Sequence, residues 1–197
     1  LTWKPFISKL KNKLTRAIGI ISKLRHSAPL PFLKTVYHAL FGSHLNYGCQ
    51  LWGLSSETQT DSIQKLQNRA ILKLTFTNHF ANISPVYKEL NIIKFNDQIH
   101  LFNCIFMFQF ENNLLPQAFN SFSKLISNRH NYNTRAVTTG LYAVPTFNTH
   151  HYGTLSVKNN CINDWHCFKR FFPQHINENL SIRRIKTLFQ EHVYSLY

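Results

Sequence analysis

Acidic side chains are what this sequence has least of: 8 Asp and Glu in 197 residues, and none before Glu57. A two-metal polymerase or nuclease centre needs at least two carboxylates brought together, and no close pair occurs. Asp61, Asp97 and Asp164 stand apart, and the first two fall where helix caps or first turns are expected. Glycine is sparse, 6 in all, and no Gly-rich run cradles a phosphate. No Ser or Cys sits in a nucleophile elbow. We therefore name no catalytic residue. Long apolar runs are missing too. The most apolar stretch, Leu101 to Phe110, is about half the ~20 residues that cross a bilayer, so we expect a soluble chain with no membrane partner.

The four cysteines, Cys49, Cys104, Cys161 and Cys167, show no paired framework, and no leader of basic, apolar and small-residue regions precedes them. A reducing compartment is expected, nuclear or cytoplasmic. His150, His151, Cys161, His166, Cys167 and His175 form the one cluster to test for metal. It has no Cys-x-x-Cys, and Cys161-x5-Cys167 does not match structural-zinc spacing. We expect no cofactor. Without an initiator Met, and opening in mid-pattern, the chain is expected to be a piece of a longer protein.

What the chain has is positive charge. Lys and Arg number 22, the net charge is +14, and the pI is near 9.9. Such a field attracts nucleic acid, anionic membranes or acidic partners. Eight cations and no anion occupy residues 1–56, whereas solvated helix faces commonly mix signs. From Leu1 to His26, Phe6, Leu10, Leu14, Ala17, Ile21 and Leu24 recur at the spacing of one helical face. Lys9, Lys13, Arg16 and Lys23 fall near a second line, with Arg25 close behind. Ser27 to Pro31 disfavours continuing this helix. A second pattern runs from Phe32 to Leu45. Thr58-x-x-Asp61 resembles a capping box opening a third helix to about Phe76, with Ile63, Leu66, Ala70, Ile71 and Leu74 inward. On it Lys65, Arg69 and Lys73 form another cationic stripe. A second helix packed between the stripes would leave two ridges flanking a groove. Tyr37, Tyr47 and Trp52 have two roles open to them, base stacking or core packing.

Ser84-Pro85 starts a short helix to Leu90, with Ser as cap. Asn96 or Asp97 begins another to about Glu111, apolar nearly all round and hence central. From Asn128 helical periodicity fades, and loop with short strands is expected through Thr154. A turn at Pro173 and a last helix from about Ser181, carrying Arg183, Arg184 and Lys186, complete the chain. We expect a mainly α protein: a basic helical bundle over 1–78, a helical core extension over 79–127, and a C-terminal irregular or α+β region over 128–197.

Ordered segments carry a resemblance. Leu1-Thr2-Trp3-Lys4 and Gly19 through Arg25 come first, then Leu45-Asn46-Tyr47-Gly48 with Leu51-Trp52-Gly53, and Leu66-Gln67-Asn68-Arg69-Ala70-Ile71. Leu90 through Lys94, Asn113 through Phe119, Tyr132 through Arg135, Asn163-Asp164-Trp165 and Ser181 through Lys186 follow. In that order they resemble the thumb and C-terminal region of non-LTR retrotransposon reverse transcriptases of the jockey-like, LINE type. The resemblance implies a thumb-like three-helix bundle that grips a template–primer duplex of RNA and DNA. It also implies fingers and palm upstream in the same polyprotein, holding the Tyr-x-Asp-Asp motif and its Mg²⁺, and no polymerase activity for this stretch alone. The alternatives are a stand-alone basic nucleic-acid-binding protein, a degenerate remnant, a surface protein docking its first helix on membranes, and a His/Cys metal-dependent nuclease.

Overall fold

The computed structural model describes residues 3–76, 82–128, 132, 134, 137, 140–149, 153, 155–175 and 180–197, without the His175 and Asn128 side chains. The protein is mainly helical, as expected. Among the described residues, strand content is a single antiparallel bridge between Leu125 and Tyr142. No described helix is long and apolar enough to cross a membrane. Two compact units divide the chain: residues 1–99 with 190–197, and residues 100–189.

The first unit starts with α1 (Lys4–Leu24). Ile7, Leu10, Leu14, Ala17, Ile18 and Ile21 are buried on one face, because apolar residues recur every three or four positions. Phe6 and Leu24 are half-buried at its edges. Leu24 closes the helix by accepting from the amides of Ser27 and Ala28, just before the prolines. The second helical pattern is one path with three geometries: α2 (Leu30–Val36), a π-helical segment (Tyr37–Gly42) and α3 (Ser43–Asn46). The wider π turn stacks Tyr37 on Phe41 with centroids 5.2 Å apart, and both are buried. Gly48, at φ 61°, turns the chain into α4 (Cys49–Trp52), whose Trp52 stacks on Phe95 at 5.1 Å.

The third long helix, α5 (Glu57–Thr75), begins at N-cap Ser56 with no side-chain cap bond. The expected capping box does not form. Ser56 Oγ pairs with Thr58 Oγ1 instead, and Thr58 and Asp61 lie inside the helix. Ile63, Gln67, Ala70, Ile71, Leu72 and Leu74 face the core. α6 (Ser84–Glu89) has Ile83 at the cap position. Asn82 Oδ1 accepts the Ser84 amide, so the Asn takes the role expected of Ser84. α7 (Phe95–Glu111) follows.

In the second unit α7 buries Leu101, Asn103, Cys104, Met107 and Phe108, consistent with a central helix. Phe106 and Phe110 each meet Phe122 edge-on, at 5.0 and 5.7 Å. Like the short α4, α8 (Val157–Phe171) is additional to the helices read from the sequence, and it is capped by Ser156 Oγ accepting the Asn159 amide. It buries Cys161, Ile162, Trp165 and Phe168. The last helix, α9 (Ile182–Leu196), starts where expected, with Ser181 Oγ accepting the Arg184 amide at 3.2 Å.

Candidate nucleic-acid interface

Burying one face of α1 fixes what the opposite face presents. Lys9, Lys13, Arg16 and Lys23 are all exposed, and their spacing puts them along one line of the helix. Ile20, 44 % exposed, stands in the same line. None of these cations is in an ion pair among the described residues. On α5, Lys65 and Arg69 are exposed on the side away from buried Ile63 and Ala70, and Lys73 is half-buried in the last turn.

Arg25 sits differently. It is the C-cap residue of α1, and its guanidinium lies 3.7 Å from the centroid of the Phe76 ring. That contact ties the end of α1 to the end of α5.

α1 packs directly on α5 as well as on the π segment and α3. The condition for two ridges flanking a groove is therefore not met in the expected way. A groove does exist, between α1 and the π–α3 path, of about 240 Å³ and lined by Lys13, Arg16, Ala17, Ile20, Leu40 and His44. Its floor is aliphatic and its rim cationic. Of the three aromatics considered for stacking, Tyr37 and Trp52 are core residues, and Trp52 Nε1 donates to the Tyr47 carbonyl. Tyr47 is 78 % exposed.

Ile20 was not singled out by pattern, since an apolar residue in a cationic line reads as incidental until the facing helix is known, whereas Leu40 and His44 belong to the second helical pattern without any sign that they would line a groove. Gln67, absent from the inward-facing set expected for this helix, is buried. Its Nε2 donates to Tyr37 Oη at 3.1 Å and to the Ile93 carbonyl at 2.9 Å, and its Oε1 accepts the Phe95 amide at 2.7 Å. The signal was present: Gln67 lies four residues after Ile63 and three before Ala70, on the apolar face.

The His and Cys cluster divides. His150, His151 and the His175 side chain lie outside the described residues, as do Leu1, Thr2, Asn133 and Arg135. Cys161 is buried, its Sγ 3.4 Å from Asn103 Oδ1, and burial pushes its thiol up to about 12, which disfavours the thiolate a metal needs. His166 Nε2 accepts the Tyr142 amide at 3.0 Å. Burial, with Lys169 and Arg170 nearby, lowers its pKa. Cys167 is exposed. Among the described residues, no three His, Cys, Asp or Glu side chains converge as a metal site would require.

Of the isolated carboxylates, Asp164 and Asp97 are committed to structure, as is Glu111, while Asp61 is exposed. Asp164 accepts from Asn103 Nδ2 at 2.7 Å and meets His100 Nδ1 at 2.9 Å. Asp97 Oδ2 accepts from Tyr197 Oη at 2.6 Å. Glu111 Oε1 accepts from Trp165 Nε1 at 2.8 Å and buried Lys169 Nζ at 2.7 Å.

Comparison with curated proteins finds a similarity in the direction the motifs indicated. Over 93 residues, 47% of this chain, the sequence is 25% identical to a probable RNA-directed DNA polymerase from transposon X-element of Drosophila melanogaster. The matched stretch covers 10% of that protein's length. No family model matches the chain, and no solved structure matches it. About half of the chain is thus similar to a short part of a retrotransposon polymerase.

Proposed function

We propose that this chain is the thumb and following region of a non-LTR retrotransposon reverse transcriptase, holding a template–primer duplex of RNA and DNA by its phosphates. The observation that carries the reading is the outward line Lys9, Lys13, Arg16 and Lys23 on α1, exposed and free of ion pairs among the described residues. Lys65 and Arg69 on α5 add to it and bring the contacts to six; Lys73, half-buried, and Arg25, held against Phe76, stand at the helix ends outside that count. Contacts of this kind release condensed counterions and fix orientation without reading sequence. Polymerisation belongs to the upstream palm, with its Mg²⁺, and this region works as the grip.

Membrane docking through α1 is less well supported. Its apolar face is spent on the core, and Phe6 packs on Trp52 at 6.0 Å. The test is affinity for an RNA–DNA heteroduplex in the wild type and in a variant with Lys9, Lys13, Arg16 and Lys23 all changed to Ala. Four lost phosphate contacts predict roughly a thousandfold weaker binding at about 0.1 M salt. Unchanged affinity in a folded variant refutes the reading.

A further inference from the structure

Phe76 is the described residue whose backbone and side chain agree least. It follows α5 with φ 58°, in the left-handed region, where Gly or Asn is the usual occupant. The other described non-glycine residues with positive φ, Asn91 and Asn113, are both asparagines. The Phe76 side chain is 55 % exposed, so core burial does not explain a bulky aromatic there. What the ring has is company. The Arg25 guanidinium lies 3.7 Å from its centroid, and the His26 ring meets it edge-on at 5.8 Å and 80°. Arg25 Nε is buried without a hydrogen-bond partner, so its guanidinium is held against the ring and not extended into water. Arg25 also stands two residues past Lys23, the last member of the outward cationic line. A strained backbone kept at an exposed place is a reason to look for function there.

We infer that Arg25, His26 and Phe76 form a stacking platform for an unpaired nucleobase, placed at the end of the phosphate track on α1. The inference rests on the proposed nucleic-acid grip. One side of the Phe76 ring is taken by Arg25, the His26 ring stands nearly perpendicular beside it, and the residue's 55 % exposure leaves the π surface that the platform uses. Every base has a π face, so stacking there tolerates any sequence, and the guanidinium adds a cation–π component. Bases inside a duplex have both faces covered by their neighbours. The ligand class is therefore single-stranded RNA or DNA continuing from a duplex, in place of the duplex interior.

The test compares a blunt RNA–DNA heteroduplex with the same heteroduplex carrying a short single-stranded overhang, using the whole chain at one salt concentration. In the wild type the overhang should raise affinity roughly tenfold, the worth of one stacked base. Phe76→Gly suits the left-handed backbone, so the fold should hold while the overhang advantage disappears and blunt-duplex affinity stays unchanged. Phe76→Tyr should keep the advantage. If Phe76→Gly lowers the melting temperature markedly, Phe76→Leu, apolar but without a π face, carries the same expectation.

An overhang advantage absent from the wild type, or retained in the folded Phe76→Gly or Phe76→Leu protein, overturns the platform. The two readings fail separately. Blunt-duplex binding that ignores loss of the four α1 cations sinks the grip. Blunt-duplex binding that needs those cations, with no effect of Phe76, sinks the platform alone.

Discussion

Gln67 shows how a polar side chain can be part of a core. An amide placed among Tyr37, Ile93 and Phe95 joins α5 to the π segment and to the start of α7 through three hydrogen bonds. Gln64 Oε1 also accepts the Phe95 amide, at 2.9 Å. Gln67→Leu keeps the volume but strips partners from the Tyr37 hydroxyl and the Ile93 carbonyl. An orphaned buried group costs about 1–3 kcal/mol, so we expect a loss of about 3 kcal/mol, read as a lower urea midpoint with unchanged slope. His166 gives a pH signature. Its folded pKa lies below the ordinary 6.5 because of burial first, then Lys169 and Arg170, with Glu111 opposing them. The unfolded imidazole therefore takes up a proton before the folded one. The stabilisation is fully present above about pH 6.5 and is lost as pH falls through the folded value. His38, lowered by burial and by Lys34, has the same sign. Unfolding midpoints should drop as pH falls below about 6.5, and His166→Gln should remove part of that drop.

At the scale of elements, the sequence was legible wherever apolar spacing and a stop signal agreed. α1 carries six buried residues in strict helical steps and ends before Pro29 and Pro31. α7 reads as central because it is apolar almost all round. α8 escaped because Asn159, Asn160, Asn163 and His166 dilute its pattern with poor helix formers. Ser156 was nonetheless a usable cap signal, and Cys161, Ile162, Trp165 and Phe168 keep the helical step. The start of α5 was misplaced because Thr58 and Asp61 have a capping-box spacing, while Ser56, extended at ψ 145°, actually begins the helix. The π segment was not legible at all, since one residue more per turn leaves the apolar period nearly intact. Gly53 shows a second thing invisible to pattern. A Cβ there would collide with the Cys49 carbonyl oxygen and come within 2.5 Å of Ile99 Cδ1. Gly53→Ala should cost about 2 kcal/mol or more, seen as a lower melting temperature. Ala at Gly19, where nothing lies within 4 Å, should raise stability by about 0.5–1 kcal/mol.

For the whole molecule, charge is the feature that sequence and structure present together. The sequence placed Lys9, Lys13, Arg16 and Lys23 on one line, and the structure leaves that line in solvent. The groove beside it needed the facing helix, and the Arg25–Phe76 contact needed the ends of α1 and α5 to meet, so neither had a one-dimensional signal. With +14 net charge, some attraction to any polyanion is expected, and affinity alone is a blunt criterion. The salt dependence of binding is sharper, because its slope counts phosphates. Six contacts, four from α1 and two from Lys65 and Arg69, predict log K against log salt falling with a slope near about −5 on an RNA–DNA heteroduplex, taken as for duplex DNA. Replacing the four α1 cations by Ala should bring it to about −2. That pair of slopes is the measurement to make. A shallow wild-type slope, or a steep one that the four substitutions leave unchanged, would contradict the assignment of α1 as the phosphate track.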